Sequence, residues 1–166
     1  MTLNQKLQSA LNNQVTAELE AALIYLQLSY IVDDLGLTGM RDWLRIQSNE
    51  ELTHAQLFAD HLSARNVTPT IQAIAAPAQP ERTAVAVFEA ALAHEEKISD
   101  LIRNLAAIVD EVRDYDARPL IDSFLAEQIE EVSTVREILD RIRIVGSDGS
   151  GLLRIDAELG TRVNTD

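Results

Sequence analysis

The sequence predicts an all-α protein: a four-helix bundle with a long crossover between its second and third helices and a short fifth helix at the C-terminal end. Two observations predict this fold. The 166 residues include only 6 glycines and 4 prolines, and these are clustered, which divides the chain into four long stretches without helix breakers. In each stretch apolar residues recur at i, i+3 and i+4, the pattern of a helix with one buried face rather than of a strand.

The helix-breaking and capping residues give the bounds of each predicted helix. Thr38 is the predicted N-cap of the second helix, and Pro119 fits the first turn of the fourth. We predict a single domain over residues 1–166, with the bundle over about 2–146 and the fifth helix over about 151–160. The four long helices are predicted at about 2–31, 40–65, 83–113 and 119–146.

The connections between the helices predict the topology. The first and third connections are short, so the helices that they join are antiparallel. The second connection, residues 66–82, contains three of the prolines. At about 3.3 Å per residue it can run the full length of a helix. Helices two and three are therefore predicted to be parallel and joined by a crossover.

The composition argues against several classes of function. Lys plus Arg is 14 and Asp plus Glu is 27, a net charge of −13, which argues against nucleic acid as a partner and suits cations. The solvated surface of a halophile is an alternative source of this acidity. The absence of cysteine excludes disulfides, cysteine-based zinc sites and thiol catalysis. Because the chain shows neither a signal peptide nor an 18-residue apolar run, we expect no membrane span and a cytoplasmic location.

Each long helix has one glutamate near the middle of its apolar stripe. Helices of similar length that pack side by side bring their midpoints to one level, so we expect these four side chains to converge, with His54 one turn from its neighbour on the second helix. Buried carboxylates without a counter-charge cost several kcal/mol each, so they either take up protons or surround a multivalent cation. The four are Glu18, Glu51, Glu95 and Glu131.

Oxygen ligands with one imidazole suit iron or manganese, with zinc as a competitor. The set is close to that of di-iron carboxylate bundles, in which two helices give one Glu each and the other two give Glu-x-x-His. The second helix has this motif at Glu51 and His54, whereas the fourth helix has no second histidine. The pattern therefore predicts a buried metal site with one departure from the di-iron set.

Other residues near the stripes have weaker interpretations. Tyr25 is first a packing residue and second a hydrogen-bonding or redox-active phenol beside the site. His61 and His94 are expected to be surface or structural residues, and Trp43 a packing residue. Three further glutamates are either solvated or part of an additional cation site on the flank of the bundle: Glu50, Glu127 and Glu130.

Taken together, these motifs resemble those of bacterial non-haem ferritins, which belong to the ferritin-like di-iron family. The resemblance extends over almost the whole chain. The first helix, the Glu-Glu-x-x-His segment, the helix-three and helix-four glutamates and the C-terminal helix all contribute to it. The matching segments are residues 11–19, 25–29, 50–54, 94–96, 127–131 and 149–159.

The resemblance implies a ferroxidase centre with two iron sites and a third one nearby. One iron would bind Glu18, Glu51 and His54, and the second would share Glu51 and bind Glu95 and Glu131, with Gln128 close by. Tyr25 matches the tyrosine beside the centre. The third, more exposed site carries over to Glu50, Glu127, Glu130 and Glu131.

The function implied is iron storage and detoxification. The chain would oxidise Fe(II) with O2 or H2O2 and deposit ferric mineral in a homo-oligomeric cage of 24 subunits. No nucleic acid or membrane partner is expected. Asp114 and Asp116 are candidates for lining a pore for iron entry.

Departures from related patterns refine this interpretation. Leu52 stands where bacterioferritins have a haem-binding methionine, and Glu130 where they have a histidine, so no haem is expected. Ser123 stands where some relatives have an aromatic residue. Two alternatives remain: another di-metal enzyme, such as a rubrerythrin-like peroxidase or a manganese catalase, and a metal-free helical adaptor. The lone Glu-x-x-His counts against the first, and the four level glutamates count against the second.

Overall fold

The computed structural model describes residues 3–163, and over that range it contains five helices and no strands. This confirms the predicted all-α bundle with a short C-terminal helix. The helices are α1 (Gln5–Asp34), α2 (Thr38–Ala64), α3 (Ala84–Val112), α4 (Arg118–Val145) and α5 (Gly149–Leu159).

The turn between α1 and α2 differs from the prediction at both helix ends. α1 continues three residues past Ile31, because the first breaker is Gly36, which adopts a φ of 78° in the turn. Thr38 is the first residue of α2 and not its N-cap, so that prediction is wrong. The backbone N–H of Met40 instead donates to the Asp156 carboxylate at 2.7 Å. The cap of α2 thus comes from α5, more than a hundred residues away.

Contacts along the helices confirm the predicted topology. Ser48 on α2 donates to the carbonyl of Ala22 on α1, and near the turn Arg41 binds Asp33, so α1 and α2 are antiparallel. Two ion pairs, Lys6–Glu111 and Lys97–Glu20, make α1 and α3 antiparallel, so α2 and α3 are parallel. Two further ion pairs make α3 and α4 antiparallel: Arg136–Glu96 and Arg143–Glu89.

The crossover between α2 and α3 is bound to the side of α1. The Asn12 side chain both donates to the backbone oxygen of Thr70 and accepts from its backbone nitrogen, each at 2.6 Å. The backbone nitrogen of Gln72 donates to the Thr16 hydroxyl at 3.1 Å. Side chains of α1 therefore satisfy backbone groups that a segment without secondary structure leaves open.

A polar layer divides the core of the bundle. One apolar cluster lies at the α5 end and includes Trp43 and Phe88, and another lies at the opposite end and includes Phe58 and Phe124. The residues between the clusters are buried but polar. They are Glu18, Gln47, Glu51, His54 and Glu95.

α1 is long and apolar enough, by length and composition, to cross a membrane. Half of its most apolar window is buried inside the bundle, and Glu18 lies on the same buried face. We interpret α1 as a core helix of the bundle, because its apolar face packs against α2 and α3.

α5 packs closely against the start of α2 and the end of α4. A Cβ atom on Gly39 would overlap the carbonyl oxygen of Asp156, so only glycine allows this approach. Asp148 caps α5 by accepting from the backbone nitrogen of Ser150 at 3.0 Å. The position of α5 therefore determines where the residues that follow it lie.

Candidate metal centre

Three potential ligands meet in the polar layer of the bundle. Glu18 comes from α1, and Glu51 and His54 come from the same face of α2 because they are three residues apart. All three are buried, and one ligand atom from each lies within 4.8 Å of the others. Nδ1 of His54 is 3.1 Å from Oε2 of Glu51. A carboxylate–carboxylate–imidazole group of this kind is able to hold a metal ion.

Glu95 from α3 completes what we call the inner group: Glu18, Glu51, His54 and Glu95. The hydroxyl of Tyr25 donates to Oε1 of Glu95, and both side chains are buried. Burial first, and then the charge of Glu51, raise the pKa of Glu95 to about 8. The raised pKa reflects burial first and the neighbouring negative charge second, which the hydrogen bond from Tyr25 does not offset.

Two buried carboxylate oxygens have no hydrogen-bond partner among residues 3–163: Oε2 of Glu18 and Oε2 of Glu95. Nearly all buried polar atoms in proteins are hydrogen-bonded, so each exception needs an explanation. Burial and the charge of Glu51 raise the pKa of Glu18 well above its usual value, although Gln14 donates to its other oxygen at 2.8 Å. A cation between these helices would satisfy both oxygens.

His54 lies between two carboxylates. Its Nε2 is 3.1 Å from Oε1 of Glu127, while Nδ1 faces Glu51. Burial favours the neutral ring, but the two carboxylates outweigh burial and raise the pKa of His54 to about 11. A metal ion needs a deprotonated ring nitrogen, so metal binding at His54 would release a proton.

Three more carboxylates form what we call the outer edge of the centre: Glu50, Glu127 and Glu131. Each has a different protein partner. Nη2 of Arg162 donates to Glu50 at 2.6 Å, Nε2 of Gln47 donates to Glu131 at 2.8 Å, and Glu127 faces His54. Burial and the charges of Glu51 and Glu50 raise the pKa of Glu131 to about 7, whereas the His54 contact lowers that of Glu127.

The structure brings most of the predicted site residues together. Glu18, Glu51 and His54 meet directly, Tyr25 binds Glu95, and the pKa of Tyr25 is raised by burial and then by Glu95, Glu51 and Glu131. Glu131 is linked to this set through Gln47, which also lies 3.4 Å from Glu51.

Other predicted residues are placed differently. Gln128 is buried, but it accepts a hydrogen bond from Ser99 at 2.9 Å and lines a cavity of about 570 Å³ between α3 and α4. Glu130 is exposed. Among the described residues, the four proposed third-site glutamates do not form a group as close as Glu18, Glu51 and His54. Those four are Glu50, Glu127, Glu130 and Glu131.

The structure also shows the contacts of the residues with weaker predictions from the sequence. His94 is buried with its ring perpendicular to that of Tyr25, at 6.5 Å between centroids, and burial lowers the pKa of His94. Trp43 packs against Phe88, as predicted. Both carboxylate oxygens of Asp114 bind Arg65, which leaves Asp114 poorly placed to line a pore.

Sequence reasoning missed two residues of the centre. Gln47 lies on the inward stripe of α2, one turn before Glu51, and this spacing is a signal that identifies it. Arg162 follows α5, donates to Gln47 Oε1 at 2.9 Å and places its guanidinium 4.9 Å from the centre of the Trp43 ring. No periodicity or motif in the sequence indicates this contact.

Comparisons with known proteins agree on one family. The ferritin-like domain matches residues 8–145. A bacterial non-heme ferritin of Bacteroides fragilis is 32% identical over 96% of this chain and 99% of its own length. A probable bacterial non-heme ferritin-like protein of Haemophilus influenzae is 32% identical over 95% and 96%. A closed form of the Archaeoglobus fulgidus ferritin, engineered by site-directed mutagenesis, superposes with a TM-score of 0.95 at 31% identity, covering 98% of this chain and 99% of that one.

Proposed function

The chain belongs to the ferritin family, and from that premise we propose that it oxidises Fe(II) at the inner group and stores the ferric product within a homo-oligomer. Family membership supports iron storage as its role. The observation that carries the ferroxidase proposal is the buried meeting of Glu18, Glu51 and His54, with ligand atoms within 4.8 Å of one another.

Iron is the substrate at this centre, and the ligands divide between two positions. One Fe(II) would bind Glu18, Glu51 and His54. The other would share Glu51 and bind Glu95 and Glu131. The partnerless oxygens of Glu18 and Glu95 support this division, because the two carboxylates come from different helices, α1 and α3, and each has one oxygen available for its own cation. The Oε1 atom of Gln128, which would lie beside the second position, accepts a hydrogen bond from Ser99 in the structure.

The reaction follows from the number of electrons at the site. Two Fe(II) ions each give one electron to O2, which takes up two protons and leaves as H2O2. With H2O2 as oxidant, the same two electrons and two protons give two waters. Hard carboxylate ligands favour Fe(III) over Fe(II) because they supply more negative charge than imidazole does. Tyr25 would hold Glu95 in position through its hydroxyl.

Glu50, Glu127, Glu130 and Glu131 would serve a third, weaker iron on the way out of the centre. In this structure, Glu50 binds Arg162, and Glu127 contacts His54. Iron at the third position would therefore have to exchange with protein partners. Such an exchange suits a transit site from which the product passes to the mineral.

The assembly that we propose is a cytoplasmic cage of 24 identical subunits, each a single bundle domain. Leu23 and Tyr30 support an oligomer, because both lie on one face of α1 and are 42% and 51% exposed. Sedimentation velocity tests this: a closed cage sediments as one large species, whereas a helical adaptor would sediment as a monomer or small oligomer.

The activity is tested by loading apo-protein anaerobically with a few Fe(II) per chain, admitting air and following ferric absorbance by stopped flow. We expect rapid oxidation that saturates at a small whole number of Fe(II) per chain. In Glu18→Ala and His54→Ala, the rapid phase should fall by about 100-fold or more, because each removes a ligand.

The matched control is Glu137→Ala, which removes an exposed carboxylate of α4. It should oxidise iron like the wild type. Circular dichroism should show a folded bundle in all three variants. Glu18→Ala removes a buried carboxylate whose Oε2 has no hydrogen-bond partner within residues 3–163, and Glu137 is exposed; His54→Ala loses the contacts with Glu51 and Glu127 and should be the least stable of the three. Equal initial rates in all four proteins would contradict the proposed centre.

A further inference from the structure

Arg162 supplies positive charge to the centre from outside the bundle. Its guanidinium donates to Glu50 at 2.6 Å and to Gln47 at 2.9 Å, and it lies 4.9 Å from the centre of the Trp43 ring. Three contacts in different directions fix one planar side chain, which is the recognition geometry that arginine favours. The arginine side chain is about one-quarter exposed.

Gln47 connects Arg162 to a second carboxylate, that of Glu131. Its oxygen accepts from Arg162, while its nitrogen donates to Glu131 at 2.8 Å and lies 3.4 Å from Glu51. The guanidinium of Arg162 thus sets the orientation of the Gln47 amide. Because the guanidinium can only donate, it binds the amide oxygen, and the amide nitrogen then faces the carboxylates. One arginine therefore holds Glu50 directly and Glu131 through one intermediate.

We propose that Arg162 is a displaceable counter-cation: it positions Glu50 and, through Gln47, Glu131, and a divalent cation entering at the outer edge must displace it. The inference rests on the proposed function, because it assigns the outer edge to metal ions. Arg162 is a positioning residue, since it acts through these side chains and does not contact the inner group.

The inner group and the outer edge should then bind cations in a fixed order. Oε2 of Glu18 and Oε2 of Glu95 have no partner to lose within the described residues. At the outer edge, a cation must first break a charged hydrogen bond and a cation–π contact. Arg162 therefore weakens the outer site most, and it acts on the inner sites only indirectly, through Gln47 and Glu131.

Zn(II) is the probe for the first test, because it is not oxidised. Calorimetric titration of the assembled apo-protein should resolve a tight class of sites and a weaker one. Arg162→Ala should tighten the weaker class by about tenfold, the equivalent of one partly buried ion pair, and change the tight class by much less, because the tight positions depend on Arg162 only through Gln47 and Glu131. Arg162→Lys should give an intermediate value, since it keeps the charge but loses the planar contacts.

The matched control is Arg103→Ala. Arg103 is an exposed arginine of α3 that binds Asp100, so its removal changes the net charge equally without touching the centre. Its weak-site affinity should equal that of the wild type. A tightening as large as that of Arg162→Ala would show a general charge effect and overturn the proposal.

Trp43 provides a second readout that does not depend on activity. It is the only tryptophan in the chain, so its fluorescence reports the contact with Arg162. Filling the weak sites with Zn(II) should shift the emission of the wild type towards that of apo Arg162→Ala. The emission of Arg162→Ala itself should not change during the same titration.

The outcomes separate this inference from the function on which it rests. Tight binding with equal weak-site affinity in wild type and Arg162→Ala, and constant Trp43 emission, would overturn the role of Arg162 while leaving the metal centre intact. No Zn(II) binding to any variant would overturn both. Tighter weak sites together with the Trp43 shift would support displacement.

Discussion

The inner group and the outer edge use the same type of residue in opposite ways. The inner carboxylates are buried, come from core helices and leave two oxygens without partners among residues 3–163. The outer carboxylates are more exposed, and each is bound by an arginine, a histidine or a glutamine. The difference teaches that the partner of a glutamate, more than its burial alone, decides whether it is ready to bind a cation.

Two adjacent residues of α2 allow the sharpest test of this comparison. Glu51 is 2% exposed and faces the inner group, whereas the Glu50 side chain is 29% exposed and binds Arg162. We expect Glu51→Gln to weaken tight Zn(II) binding by about 100-fold or more, because it removes the carboxylate shared by both positions. Glu50→Gln should leave tight binding unchanged and affect only the weaker class.

Calorimetric titration of the two variants in parallel provides the measurement, and each variant is the other's control. Both variants replace a carboxylate with an amide at adjacent residues. A difference in Zn(II) affinity between them therefore comes from the location of the carboxylate and not from the type of group removed. Equal losses of tight binding would remove the distinction between an inner group and an outer edge.

The pH dependence of stability is the next largest expected effect. The pKa values of Glu95 and Glu131 are raised to about 8 and about 7, so protonation of each favours folding. This contribution is present below their unfolded-state value of 4.5 and is lost as the pH rises through 7 and 8. His54, raised to about 11, acts in the same direction above 6.5. The apo-protein should therefore lose stability between pH 6.5 and 8.

Two histidines act in the opposite direction outside this window. Burial lowers the pKa values of His61 and His94, so their neutral forms favour folding once the pH exceeds the unfolded-state value of 6.5. Their contribution therefore increases as the pH rises towards 6.5 and is constant above it. The fall between pH 6.5 and 8 belongs to the carboxyls of the centre and His54.

Glu95→Gln should flatten this fall. One pKa unit is about 1.4 kcal/mol, so ionisation of Glu95 alone costs on the order of 2 kcal/mol of apo stability over the window. Thermal unfolding of wild type and variant at several pH values measures it, with Glu137→Gln as the exposed control. If the stability of the variant fell with pH as steeply as that of the wild type, the pKa of Glu95 in the folded protein would not be raised.

The sequence was sufficient to predict the fold and the inner group, because both depend on helical periodicity. The glutamate at the midpoint of each stripe can be identified one helix at a time, and helices of similar length bring these midpoints to one level. Glu18, Glu51 and Glu95 lie in the inner group, whereas the fourth, Glu131, lies at the outer edge and binds Gln47. Gln47 lies on one of those stripes, one turn before Glu51, and that spacing was available as a signal, but the residue was not assigned to the site because only carboxylates and histidine on the stripes were considered as ligands.

The glutamates of the outer edge were predicted, but the Arg162 contact that holds them and the cap of α2 could not be, for a different reason. Arg162 and Asp156 act on residues 112 and 116 positions away, across the docking of α5. Neither contact has a local pattern, since it depends on how α5 meets α2 at Gly39. Thr38 was therefore assigned a capping role that Asp156 fulfils.

Gly39→Ala gives the smallest expected effect on metal binding and tests whether α5 holds the outer edge in place. The added Cβ would overlap the backbone of Asp156, so α5 must move and carry the following Arg162 with it. We expect the apo emission of Trp43 to approach that of Arg162→Ala and the weak Zn(II) class to tighten several-fold, by less than the roughly tenfold effect of removing the arginine.

Gly149→Ala is the control for this substitution, because nothing lies within 4 Å of a Cβ at that position at the start of α5. It should keep the wild-type emission and both classes of Zn(II) affinity. Tight binding should be unchanged in both variants, since Glu18 and Glu95 lie on α1 and α3, which do not contact α5, and Glu51 and His54 lie about three turns beyond Gly39 on α2. If Gly39→Ala weakened the tight class while Trp43 stayed as in the wild type, the inner group would depend on α5, and the two regions would not be separable.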